Sequence, residues 1–190
     1  MKQILNSLLV LATTSLFSFA YAHTGSSTGW LHPLTGVDHL LAMIAVGAWS
    51  VQLGGRAVWI VPSAFVCFML IGGIIGFEHF ELPATEVGVS FSVVLLGLAI
   101  YKRKILPVAV AASATALFGI FHGYAHGYEM PVQENKWLYT LGFMAMTATL
   151  HLVGAFGAHF LLKAKSGDRI LRALGGLSAL CGVWLVSTVI

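Results

Sequence analysis

Residues 57–77 read AVWIVPSAFVCFMLIGGIIGF, a stretch with no charged side chain, closed by Gly54-Gly55-Arg56 before it and by Glu78 after it. A helix of about 20 apolar residues spans a hydrocarbon core of about 30 Å, so this stretch reads as a transmembrane helix. Working outward, runs of the same kind lie near 34–53, 85–101, 105–126, 137–162 and 170–190. The breaks between them are short and carry turn formers or charges: Glu81-Leu82-Pro83, Lys102-Arg103-Lys104, Met130-Pro131 and residues 163–172. The expected fold class is therefore all-α, a polytopic membrane bundle of six transmembrane helices with no soluble domain inserted.

Composition agrees with that class. The chain is 58% hydrophobic and 9% charged with a mean hydropathy of +0.89, where soluble domains carry roughly 25% charged residues. Residues 1–22 read as a signal peptide: Lys2, an apolar stretch from Ile4 to Ala20, and Ala20-Tyr21-Ala22 as a cleavage site. Residues 23–190 then form a single transmembrane domain with His23 at its amino terminus. The open alternative is an uncleaved first span, and either way the next segment starts outside the cytoplasm.

From that start, the cytoplasmic breaks hold Arg56, Lys102, Arg103, Lys104, Lys163, Lys165, Arg169 and Arg172, which satisfies the positive-inside rule. The expected location is the bacterial inner membrane, multi-pass, with the mature amino terminus periplasmic. Glu78, Glu81, Glu86, Glu129 and Glu134 fall at the outer side, with Lys136 as the one basic residue there. An acidic mouth concentrates cations, although loop acids also simply solvate helix ends. The net charge of +3 reports orientation and gives no support to nucleic-acid binding. No G-x-x-x-x-G-K-[ST] occurs, so no ATPase motif powers this chain. Cys67 and Cys181 lie inside apolar runs and read as small hydrophobes.

Small residues repeat every four positions at Gly72 and Gly76, at Gly119, Gly123 and Gly127, and at Gly154 and Ala158. Such stripes let backbones approach closely in lipid and read as packing devices. One of them sets a tight contact one residue away from His122 and His126.

Ionisable groups at a bilayer boundary are costly unless paired, hydrated or bound to a cation. Two motifs concentrate them, His32-Pro33-Leu34-Thr35-Gly36-Val37-Asp38-His39 and Phe121-His122-Gly123-Tyr124-Ala125-His126-Gly127-Tyr128-Glu129. In the first, Pro33 fits the opening position of a helix with His32 as cap, and His32, Gly36, His39 and Met43 share one face. Asp38 either accepts from the second ring nitrogen of His39 or binds the metal itself. In the second, His122 and His126 at i and i+4 aim two imidazoles at one ion, and Glu129 continues that face if the helix persists another turn. Glu78 and His79 end the second span at the same outer level, which brings six or seven potential ligands to one depth. Imidazole with carboxylate suits Ni(II), Co(II) or Zn(II). His151, mid-span, reads either as a transit ligand or as a histidine bonded across a helix interface beside Thr147 and Gly154. His159 and the terminal His23 are further candidates.

At these residues the sequence resembles the HupE/UreJ family. His32-Pro33, Gly36, Asp38-His39, Leu41-Ala42-Met43 and Val46-Gly47 are similar to its first motif. Phe121-His122-Gly123, Ala125-His126-Gly127, Glu129 and Pro131 are similar to its second. The resemblance implies a secondary permease for nickel, in some members cobalt, with His32, Asp38, His39, His122, His126 and Glu129 as metal-site candidates. Where members carry a histidine-rich stretch after the signal, this chain has only His23. The leading expectation is thus uptake of Ni²⁺, alternatively Co²⁺, as transported ion, with no resident cofactor and no enzymatic activity. The alternative is an intramembrane Zn²⁺ hydrolase on the same residues, and bis-histidine haem is a distant third. Expected partners are the metal ion and the lipid bilayer, with a homo-oligomer left open.

Overall fold

The computed structural model describes residues 29, 32–132 and 134–190. The expected signal peptide and His23 lie outside the described residues, and of His32 only the backbone is described. The described chain is helical, without strands: α1 (His32–Thr35), α2 (Val37–Leu53), α3 (Ala57–Phe77), α4 (Thr85–Tyr101), α5 (Val108–Tyr128), α6 (Lys136–Lys163) and α7 (Gly167–Val189). In lipid a backbone must satisfy its own hydrogen bonds, so apolar runs resolve as helices. By length and apolar composition α3, α5, α6 and α7 can each cross a membrane, while α2 and α4 are shorter apolar helices of 17 residues.

The helix limits depart from the apolar runs for local reasons. The first run was expected to open at Pro33; instead α1 is a single turn, and Gly36 (φ −87°, ψ 117°) breaks it from α2. His32 therefore does not cap the long helix. α5 begins at Val108 because the Pro107 ring disfavours the helical conformation in Leu106 before it. α6 and α7 reach beyond their apolar runs into charged residues at the boundary, and the Asn135 side chain caps α6 by accepting from Trp137 and Leu138 N–H. Gly54 and Gly55 turn the chain after α2 in positive φ, a conformation that costs glycine little.

Helix pairs meet where glycine removes a side chain. A Cβ at Gly72 or Gly76 would strike Ile120 or Tyr124 carbonyl oxygens, and one at Gly119, Gly123 or Gly127 would strike those of Phe65, Met69 or Gly73. Numbers rise together along both helices, so α3 and α5 run parallel in backbone contact. Gly47 meets the His151 carbonyl and Gly154 that of Ile44, which joins α2 to α6. Gly97 and Gly182 meet Ala179 and Val94 in the antiparallel pair of α4 and α7. Close approach of this kind replaces the hydrophobic drive that lipid does not supply.

The same pairing sorts the ends of the bundle. Trp49 Nε1 donates to the Lys104 carbonyl (3.2 Å), and Arg103 pairs with Asp168 (3.5 Å). At the other end the Leu82 N–H donates to the Tyr124 hydroxyl (3.2 Å), and Lys136 stands 4.0 Å from Glu78. One end therefore gathers Arg56, Lys102, Arg103, Lys104, Lys163, Lys165, Arg169 and Arg172. The opposite end gathers every acid of the chain except Asp168.

Candidate metal centre

At the acidic end, the extended Gly36 lets α2 start with Asp38 in its first turn. There the carboxylate also faces the positive end of the helix dipole. Asp38 Oδ1 accepts from the His39 backbone N–H (2.7 Å) and lies 2.9 Å from His39 Nδ1. A carboxylate acceptor assigns the proton to Nδ1 and the lone pair to Nε2, as in carboxylate-oriented metal ligands. This contact to His39 is the one that the first of the two roles open to Asp38 requires. Gly36 makes the arrangement possible, since a Cβ there would lie 2.8 Å from Asp38 Oδ1 and 3.1 Å from His39 Nδ1.

His122 and His126 are carried to the same level by α5, one turn apart and fully buried. His122 Nδ1 donates to the Phe118 carbonyl (2.9 Å), which leaves its lone pair on Nε2, an atom with no hydrogen-bond partner among the described residues. His126 stacks on Phe143 with centroids 5.0 Å apart and planes 9° from parallel. The His39 ring stands edge-on to both, 4.9 Å from His122 and 4.6 Å from His126. Three imidazoles from two helices thus share one buried cluster. Among the described residues no group of three His, Cys, Asp or Glu side chains is arranged so that it could hold a metal ion. The rings pack edge to face rather than converging on a point.

The other expected ligands are placed differently. α5 ends at Tyr128, with Glu129 as its half-buried C-cap whose N–H still donates to the Ala125 carbonyl (3.0 Å). Its carboxylate, like that of Glu86, still acts electrostatically on His39. Glu78 and His79 do not join the cluster. Both are exposed beyond the end of α3, Glu78 near Lys136 and His79 in positive φ with its ring on Tyr128 (5.2 Å). Among the described side chains, three histidines and the Asp38 carboxylate come together, with Glu129 acting on His39 from the end of α5. His151 is buried in α6, and Thr147 donates instead to Met43 Sδ (3.4 Å). Phe65 and Phe143, which wall the cluster, had no signal in the sequence, because an aromatic in an apolar span looks like any other lipid-compatible residue.

Comparison with known proteins follows this geometry. The family model for the HupE / UreJ protein matches residues 10–185. Protein HupE of Rhizobium leguminosarum bv. viciae is 42% identical over 181 residues, covering 93% of this chain and 94% of that protein. No solved structure matches the chain.

Proposed function

Because the chain belongs to the HupE/UreJ family, we propose that it is a secondary permease taking up Ni²⁺, or alternatively Co²⁺, across the bacterial inner membrane. The observation that carries this reading is the cluster of His39, His122 and His126, buried edge to face with Asp38 orienting His39. Three neutral imidazoles and a nearby carboxylate replace part of a divalent ion's hydration shell, and ligands of this type suit late first-row metals. In the loaded state, rotation of the rings about χ1 and χ2 brings their lone pairs onto the ion.

The topology proposed with it has six spans, α2 to α7, and a periplasmic amino terminus. A helix of 17 residues is about 25 Å long, within the range that spans a bilayer, so α2 and α4 count among the six. The basic end then faces the cytoplasm and the acidic end the periplasm. A potential negative inside favours inward movement of a divalent ion by about 2 × 2.3 kcal/mol per 100 mV. The zinc-hydrolase alternative gains no support from the family match.

The test is accumulation of radioactive nickel and cobalt in cells expressing the protein, beside a His39→Ala, His126→Ala double variant of matched membrane abundance. Histidine-dependent accumulation names the metal and the direction. Equal accumulation of both metals in the two strains sinks the reading.

A further inference from the structure

His151 lies near the middle of α6 and is 3% exposed, and neither of its ring nitrogens has a hydrogen-bond partner among the described residues. A buried polar group without a partner is rare in native structures, and an unpaired ionisable one at membrane depth marks a pathway more often than a packing contact. Its neighbours say which pathway. The fully buried ring of Phe65 stands 5.1 Å from His122 and 5.1 Å from His151, so one phenyl ring touches both a member of the three-histidine cluster and His151.

A largely apolar groove of about 560 Å³ opens on the bundle surface between α3 and α6; buried His151 lies on its wall with the exposed Ser63, Cys67 and His159 among apolar side chains. His159 lies two turns of α6 further toward the basic end, about 12 Å along the axis. Imidazole, thiol, hydroxyl and a second imidazole form a descending set of donors, and all but the hydroxyl favour late first-row divalent metals. Pro62, on the same wall and less than one turn from Phe65, removes a helix N–H and loosens α3 near that ring.

We propose that His151 is a second, inner metal ligand. Phe65 is the barrier between it and the outer cluster, and the groove holding Cys67 and His159 is the exit toward the basic end. This rests on the reading of the chain as a divalent-metal permease and adds to it a site distinct from the His39, His122 and His126 cluster. The ion would leave the three rings only when the Phe65 side chain swings aside, then exchange onto His151, then onto water in the groove.

The experiment uses the two cysteines of the chain. In a Cys181→Ser background Cys67 is the sole thiol, and its labelling by a charged, membrane-impermeant methanethiosulfonate is followed in inside-out and right-side-out vesicles. Labelling is expected from the basic-end face, and nickel at about ten times its Kd should slow it about 10-fold, in proportion to occupancy. Magnesium should leave the rate unchanged. His151→Ala should abolish the nickel protection, while His39→Ala should preserve it in inside-out vesicles, where the ion enters from the groove side. If only a lipid-soluble maleimide reaches Cys67, or nickel does not protect it, the inference falls. It falls too if protection survives His151→Ala. Should His151→Ala fail to fold, the nickel and magnesium rates in the Cys181→Ser protein still decide. Failure here with histidine-dependent uptake intact removes only the inner site. Protection at Cys67 without such uptake removes the import reading and leaves an inner metal site.

Discussion

The imidazole of His39 meets that of His126 edge-on at 4.6 Å, and it is held in that orientation by Asp38, 2.9 Å from its Nδ1. Loss of an outer carboxylate that orients a ligating histidine commonly costs about 10–100-fold in metal affinity. Asp38→Ala is therefore expected to raise the Kd for nickel by about that factor, and Asp38→Asn, which keeps an acceptor for Nδ1, to recover part of it. Titration calorimetry on purified protein reads both. Equal affinity in wild type and Asp38→Ala would remove Asp38 from the site.

Gly36 offers a subtler test of the same pair. A methyl group at this position would crowd both Asp38 Oδ1 at 2.8 Å and His39 Nδ1 at 3.1 Å. Gly36→Ala should weaken nickel binding while leaving the melting temperature in detergent nearly unchanged, since the crowding falls on the site and not on a helix interface. A large drop in melting temperature with unaltered affinity would mean that Gly36 serves the fold instead.

The α3 and α5 contact supplies a stability prediction with an internal control. A Cβ on Gly123 collides with the Met69 carbonyl, which is backbone and cannot rotate away, whereas Gly157 has nothing within 4 Å of its Cβ position. Gly123→Ala should destabilise the bundle by about 1–3 kcal/mol, the usual cost of overpacking. Gly157→Ala should be neutral or stabilising by up to about 1 kcal/mol through helix propensity. Thermal unfolding in one detergent compares the two, and similar shifts for both would contradict the backbone contact.

How far the sequence could be read follows from what hydropathy encodes. The runs at 57–77 and 85–101 coincide with α3 and α4 because apolar length and charged breaks set where a helix can lie in lipid. The four-residue glycine spacing pointed to close packing, and the structure supplies the partners, α3 against α5 and α2 against α6. The i, i+4 pair of His122 and His126 needed only helical periodicity. The facing of His39 toward that pair depends on how α2 crosses α5, which no periodicity contains. Glu78 and His79 are exposed for a different reason. They sit just past the end of α3, where the backbone turns and a helical wheel no longer applies. Phe65 became visible only once His122 and His151 were both seen 5.1 Å from its ring.

Acid should oppose metal at the three-ring cluster. Each imidazole binds a metal ion through a lone pair that a proton also occupies, so metal binding releases protons wherever the ring was charged. The sign follows: lowering pH favours the protonated, metal-free rings, and raising it favours the complex. Below the titration range each ring that must shed a proton steepens the dependence by about tenfold in Kd per pH unit. Nickel binding to purified protein is thus expected to weaken as pH falls from 7.5, with proton release detectable in buffers of differing ionisation enthalpy. A Kd that stays constant as pH falls would show that imidazole nitrogen is not what holds the ion.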